Sequence, residues 1–171
     1  MDENSLEYNI VTSCTPQYLP GLVALRNSIQ INFPSAKLTC FWYGQDQDDN
    51  IQLPEGIDYI KEAPMEGVIV DSGKKWRHNL KLGPDMYARL LIPRYFTGKA
   101  FYVDVDCLVL QDFSQLWDMD MQNHRTACVY RPHIGWVGGH MHDDMASGTF
   151  MVDCDKWRYN KTTEEIFQIM H

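Results

Sequence analysis

The stretch Ala100-Phe-Tyr-Val-Asp-Val-Asp-Cys-Leu-Val-Leu110 decides the reading of this chain. Phe101–Val103 is continuous and apolar, the pattern of a strand covered on both faces in a parallel sheet. Asp104 and Asp106 follow, separated by Val105. Residues i and i+2 of a strand point the same way, so the two carboxylates share one face. Two carboxylates held together repel and raise one another's pKa. A divalent cation between them removes that conflict, and hard oxygen ligands suit Mg²⁺ or Mn²⁺. In open α/β sheets ligands collect beyond the carboxyl ends of the strands, where such a pair would sit. The competing reading of the same residues is a solvated turn that ends the strand.

Upstream, Tyr8-Asn-Ile-Val-Thr-Ser-Cys14 is short and β-branched and predicts a strand. Through Thr15-Pro16-Gln17 it leads into Tyr18–Phe33, where Leu19, Leu22, Leu25, Ile29 and Phe33 recur at helical spacing. Pro34 stops that helix by disfavouring α geometry in the residue before it. Lys37–Tyr43 reads as a second strand, so the three elements form a βαβ unit with a parallel sheet and a right-handed crossover. Ile57–Ile60 predicts a short strand. A helix from Pro84-Asp85 carries Met86, Leu90 and Leu91 inward and runs to about Ile92, before Pro93.

Downstream, Ser114–Trp117 predicts a helical turn, and Thr126–Tyr130 and Thr149–Val152 predict strands. Thr162 with Glu165 three residues later is a capping-box pattern opening a last helix. The chain has 171 residues, with 44% apolar and 22% charged side chains, and shows no repeat or linker. It reads as one α/β domain spanning 1–171.

The net charge of −8 gives no general attraction to phosphate backbones, which excludes nucleic acid as a first expectation. A phosphate-bearing small ligand stays open, because a bound cation reverses the sign of a local acidic site. No apolar run approaches the roughly 20 residues of a transmembrane helix, and Met1–Asn9 does not read as a signal peptide. The five cysteines are odd in number and widely spaced, without Cys-x-x-Cys. They predict reduced core residues of a cytoplasmic protein rather than disulfides or a zinc site.

Five ordered blocks carry a resemblance. Tyr87-Ala-Arg-Leu-Leu-Ile-Pro93, Ala100–Asp106 with Leu108-Val109, and Leu116-Trp117-Asp118 resemble the core of glycosyltransferase family 8. That family contains glycogenin and the lipopolysaccharide galactosyltransferases. Asn9-Ile-Val-Thr-Ser with Tyr18-Leu19, and Ser147-Gly148-Thr-Phe-Met-Val-Asp with Lys156-Trp157, resemble its other blocks in the same order.

The resemblance implies a GT-A, Rossmann-like fold for nucleotide-diphospho-sugars, with a mostly parallel central sheet flanked by helices. It also implies a UDP-sugar donor, Mn²⁺ or Mg²⁺, and transfer of a hexose with retention to a hydroxyl acceptor on a glycan, lipid-linked sugar or protein. By the same likeness Asp104 and Asp106 hold the metal, with Asp104 also near the donor sugar. Ser13, Thr15 and Tyr18 cradle the uracil, the Val105 backbone meets the ribose or base, and Arg89 reaches the donor. An Arg at that place supplies forked donors to oxygens that gain charge as UDP leaves.

Ser147-Gly148 matches a block whose preceding residue is usually Asn; Ala146 stands there instead. Thr15 stands where many members have Asp or Asn. The family continues with an Asp-Gln pair and a late metal-binding His, so the chain, ending at His171, reads as truncated or as a reduced member. Two further readings stay open: a UDP- and metal-binding domain without turnover, and a sugar nucleotidyltransferase. The second lacks its Gly-rich basic loop, since Thr12–Gln17 contains neither Gly nor Lys.

Three other features draw notice. Gly139–Asp144, with His140, His142 and Asp144, holds possible transition-metal ligands but reads as a polar loop before a strand. Lys74–Arg77 with His78 reads as a solvated loop rather than a lid over the diphosphate. Of the five tryptophans, Trp136 is the candidate sugar platform and most of the others read as core.

Overall fold

Tyr8–Cys14 forms β1, and α1 (Leu19–Asn32) returns the chain so that β2 (Ala36–Trp42) lies parallel beside it. The structure is a computed structural model that describes residues 7–44, 51–61, 84–131, 136–137, 140–141 and 144–170. A single 3₁₀ turn, Pro16–Tyr18, links β1 to α1. The helix ends as Pro34 requires: Phe33 leaves helical geometry at φ −149°, while its N–H still donates to the Ile29 carbonyl.

β3 (Asp58–Ile60) adds to β2, and β4 (Lys99–Val103) adds to the other side of β1, all parallel. Next come β5 (Thr126–Arg131), the two-residue strands β6 (Trp136–Val137) and β7 (His140–Met141), and β8 (Asp144–Asp153). β8 runs antiparallel between β4 and β5, giving the order β3-β2-β1-β4-β8-β5. The mostly parallel sheet is therefore as expected, with β8 as the strand that runs against the others.

Each strand divides its side chains between two cores, because alternate residues face opposite sides. On one face Ile10, Cys14, Leu38, Cys40, Trp42, Val103 and Met151 pack under Leu22, Leu25 and Ile29 of α1. An aromatic lattice closes the end of this face. The Phe33 ring centroid lies 5.2 Å from Tyr8, 5.0 Å from Phe113 and 6.1 Å from Trp117. Each fully buried side chain of this size contributes about 1.5–3 kcal/mol relative to exposure.

On the other face Val11, Phe41, Ala100, Tyr102 and Val152 meet Ala88, Leu91 and Ile92, with Cys154 and Trp157 beside them. These come from a 3₁₀ stretch (Pro84–Leu91), α2 (Ile92–Tyr95) and α3 (Cys154–Tyr159). The helix expected over 84–92 is thus tighter and later than its pattern suggests. Pro93 opens α2 instead of ending a helix, since a proline in the first turn forfeits no helical hydrogen bond. Leu91 is buried and Leu90 packs against this core, whereas the Met86 side chain lies outside the described ones.

α4 (Thr162–Met170) follows, but its capping-box pair is used otherwise. Arg125 Nη1 donates to Thr162 Oγ1 at 2.7 Å and meets Glu165 Oε2 at 3.3 Å, so an arginine just before β5 takes both side chains. The cap that does form belongs to α3, where Asp153 Oδ1 accepts from the Lys156 N–H at 3.0 Å. Cys14, Cys40 and Cys154 are buried in the two cores, and none of the five cysteines is joined in a disulfide. No helix among the described residues is long and apolar enough to cross a membrane.

Candidate functional site

β4 ends at Val103, and the next four residues form a turn in which the Cys107 N–H donates to the Asp104 carbonyl at 3.1 Å. Strand alternation therefore does not place the two carboxylates; the turn does. The physical reason is that aspartate is poorly suited to a strand interior but favoured at the first position of a turn. Asp104 keeps one foot in the sheet, because its N–H donates to the Gly148 carbonyl at 2.7 Å, the next step of the β4–β8 ladder. Asp106 stands exposed two residues on. Both carboxylates act on one neighbour: burial first, then Asp106 and Asp104, push the Cys107 thiol above its usual range.

Two glycines allow this turn its position. A Cβ on Gly148 would stand 2.5 Å from Asp104 Oδ2, and a Cβ on Gly21 in α1 would stand 2.9 Å from the Val105 carbonyl oxygen. The turn is thus seated between the first turns of α1 and the middle of β8. Val105 itself is half-buried against the α1 core.

Arg89, from the 3₁₀ stretch on the second face, reaches the same place. Its Nη2 lies 3.3 Å from Asp104 Oδ1, with the arginine side chain 17% exposed and the aspartate 38%. The guanidinium carbon sits 4.6 Å above the centre of the Tyr102 ring. That geometry is a cation–π contact. The Tyr102 hydroxyl shares a hydrogen bond of 3.1 Å with Ser13 Oγ at the end of β1. Burial is the main cause holding the Tyr102 phenol above its ordinary pKa; the Asp104 carboxylate adds to it, while Arg89 and Ser13 oppose it.

The site residues expected from sequence thus divide. Ser13, Arg89, Asp104, Val105 and Gly148 are brought to one end of β1, β4 and β8. Thr15 lies just past β1 with its Oγ1 buried and without a hydrogen-bond partner among the described residues. Tyr18 ends the 3₁₀ turn, its N–H on the Thr15 carbonyl, with the ring 49% exposed. Ser147 and Ala146 lie in β8 beside Gly148, and only their backbone is described.

Tyr102 went unnoticed in the sequence because it reads as one more apolar residue of a buried strand. Its signal is a phenol in an otherwise aliphatic and aromatic run, which has to find a polar partner. Gly21 also escaped, since a glycine early in a helix carries no sign of what crosses it.

The candidate ligands elsewhere fare differently. Trp136–Val137 pairs antiparallel with His140–Met141, so part of the supposed polar loop is a small ladder. His142, the run Lys74–Arg77 and His78 lie outside the described residues. Trp42, Trp117 and Trp157 are core residues, as expected.

A divalent cation fits what is present. Asp104 and Asp106 offer hard carboxylate oxygens, and the missing Cβ at Gly148 gives the Asp104 carboxylate room beside β8. Among the described residues no cluster of three or more His, Cys, Asp or Glu side chains forms.

A sheet of this order, with an acidic turn at the end of its central strand, is the fold of the GT-A glycosyltransferases. It matches a galactosyltransferase, LgtC, solved with donor and acceptor sugar analogues, at a TM-score of 0.64 and 18% identity, over 95% of this chain and 66% of that one. The sequence belongs to glycosyl transferase family 8, whose family pattern matches residues 9–171. It is 26% identical to General stress protein A of Bacillus subtilis (strain 168) over 144 residues, 75% of this chain and 49% of that protein. It is also 26% identical to a putative glycosyltransferase of Haemophilus influenzae over 157 residues, 83% of this chain and 39% of that protein. The chain spans about half or less of the length of these curated relatives.

Proposed function

We propose that this chain carries the donor half of a metal-dependent, retaining glycosyltransferase that moves a hexose from a UDP-sugar to a hydroxyl acceptor. One observation supports this above the others: just past the central strand, the Asp104 carboxylate is held between Arg89, on Oδ1, and Gly148, whose missing side chain makes room for it. A fixed carboxylate at that strand end is suited to hold a cation beside a guanidinium. Asp104 and Asp106 would hold Mn²⁺ or Mg²⁺ there. When bound, the cation neutralises diphosphate charge and eases departure of UDP.

The chain's own groups account for the rest. Arg89 is held by Tyr102 and Asp104 before any substrate arrives, so its donors need no reorganisation as charge grows on the departing diphosphate. Ser13 near the end of β1, with Thr15 and Tyr18 just after it, would receive the uracil. The Val105 backbone, fixed over Gly21, would face the ribose or base. Ser147 and Gly148 border the sugar. Acceptors are hydroxyls of a glycan, a lipid-linked sugar or a protein. The same reading places the protein in the cytoplasm, where thiols stay reduced.

Calorimetric titration of UDP with Mn²⁺, repeated with EDTA and with Asp104→Ala, tests the reading. Binding that needs the metal and is lost in the variant supports it, and release of UDP from UDP-glucose or UDP-galactose then establishes turnover. A folded protein that gives no heat with UDP in either buffer removes the donor-site assignment. Metal-dependent binding without release would leave a UDP-binding domain.

A further inference from the structure

Tyr102 occupies a place that simple core packing does not require. It is 1% exposed, one residue before the end of β4, opposite Val11 on one side and Phe150 on the other. An aliphatic residue or phenylalanine would fill that position without burying a hydroxyl, which costs free energy unless it is paired. The hydroxyl is paired, and with a residue of particular position: Ser13 Oγ at 3.1 Å, one residue before the end of β1, where the chain turns toward Thr15 and Tyr18. The ring face meanwhile carries the Arg89 guanidinium at 4.6 Å, and Arg89 in turn holds Asp104 at 3.3 Å. One side chain thus touches both the loop after β1 and the arginine that grips the acidic turn.

Resting on the donor-site reading above, we infer that Tyr102 is a positioning residue. Its hydroxyl fixes the nucleoside loop through Ser13, and its ring fixes the diphosphate-facing Arg89. Tyr102 is too buried to touch substrate, so it acts through its neighbours. The two halves of the donor are then held at a set distance by a single strand residue. The hydroxyl and the ring serve separate halves, and this separation makes the role measurable.

The experiment compares wild type, Tyr102→Phe, Tyr102→Leu, Ser13→Ala and the Tyr102→Phe/Ser13→Ala double variant, each titrated with UDP and with uridine in Mn²⁺ buffer. Thermal melts first confirm that each is folded. Removing the hydroxyl weakens UDP and uridine alike, by roughly threefold to tenfold, the worth of one hydrogen bond. The double variant is then no weaker than Ser13→Ala alone, because Ser13→Ala already removes the bond that Tyr102→Phe removes. Tyr102→Leu weakens UDP by a further severalfold with no further effect on uridine, because only the diphosphate meets Arg89.

If wild type takes up no UDP, the donor-site reading falls and this role falls with it. If wild type binds UDP and the folded Tyr102→Phe binds as tightly, the reading stands and the positioning role alone is overturned. Losses at Tyr102 and Ser13 that simply add, or a Tyr102→Leu defect equal for UDP and uridine, also overturn it. Should Tyr102→Leu fail to fold, Tyr102→Phe with its double variant decides.

Discussion

Gly148 and Asp104 face each other across the β4–β8 ladder so closely that a methyl group on Gly148 would lie 2.5 Å from Asp104 Oδ2. The backbone bond between them, Asp104 N–H to the Gly148 carbonyl at 2.7 Å, holds the two residues in place. Room for the carboxylate therefore comes from the absence of a side chain on β8.

Gly148→Ala follows as a change with a larger effect on binding than on folding. The added methyl forces the Asp104 carboxylate to swing, which costs about 1–3 kcal/mol of overpacking unless the side chain yields. Yielding takes Oδ1 away from Arg89 and Oδ2 away from its present position. Metal-dependent UDP affinity should fall about tenfold to a hundredfold, the worth of a charge-assisted bond. Titration of UDP with Mn²⁺, beside a urea melt, measures both. Unchanged affinity in a folded variant would show that this carboxylate orientation is not the binding one.

Gly21→Ala makes the corresponding demand from the helix side, with a different balance. Alanine inside α1 gains about 1 kcal/mol of helix propensity over glycine. Its methyl, however, would stand 2.9 Å from the carbonyl oxygen of Val105, a backbone atom that cannot rotate away. The turn has to move outward by a few tenths of an ångström. The expected result is little net change in melting temperature together with weaker UDP binding, since small misplacements at a site cost far more in function than in stability. A variant both more stable and equally able to bind would mean that the turn adapts freely.

Arg89→Ala should lower turnover about a hundredfold if the arginine meets charge that develops on the leaving diphosphate. Arg89→Lys should recover only part of this. A lysine brings the charge but neither the forked donors nor the flat face that rests on Tyr102. Rates of UDP release from saturating donor read the difference. Full recovery by lysine would reduce the role of Arg89 to a point charge.

Periodicity carried much of this fold. Leu22, Leu25, Ile29 and Phe33 announce α1, Pro34 announces its end, and β1, β2 and β4 are short and rich in β-branched or aromatic residues, which favours strands. The direction of β8 was not legible, because a strand's own residues do not record whether its neighbour runs with or against it. The 84–95 region misled for a local reason: Pro93 fits a helix start as well as a helix end, and tertiary packing of Ala88, Leu91 and Ile92 chose the start. The candidate site was legible where chemistry is concentrated, at Arg89, Asp104 and Asp106. Gly148 was marked by its block Ser147-Gly148, though not its close approach to Asp104; Tyr102 and Gly21 were not legible, because their parts come from close approaches across elements far apart in sequence.

Asp153 offers a test of stability that is separate from the site. It closes β8, caps α3 through the Lys156 N–H and pairs with the Lys156 ammonium at 2.9 Å, with a side chain only 14% exposed. Burial alone would raise its pKa, but the Lys156 N–H and ammonium, with Lys99 behind them, outweigh it and hold the carboxyl below its usual value. A folded-state pKa below the unfolded one means the contribution is complete above the unfolded value, about 4, and is lost as pH falls through the folded value. Asp153→Ala should cost about 1 kcal/mol near neutral pH by removing the cap. Asp153→Asn keeps an oxygen acceptor for the cap and loses only the charge, so it should fall between the two. The gap between wild type and Asp153→Asn should then close as the pH is lowered below about 4. Urea unfolding at several pH values measures that gap directly. A gap that stays constant down to low pH would mean the carboxylate charge contributes nothing, and that the cap alone stabilises the start of α3.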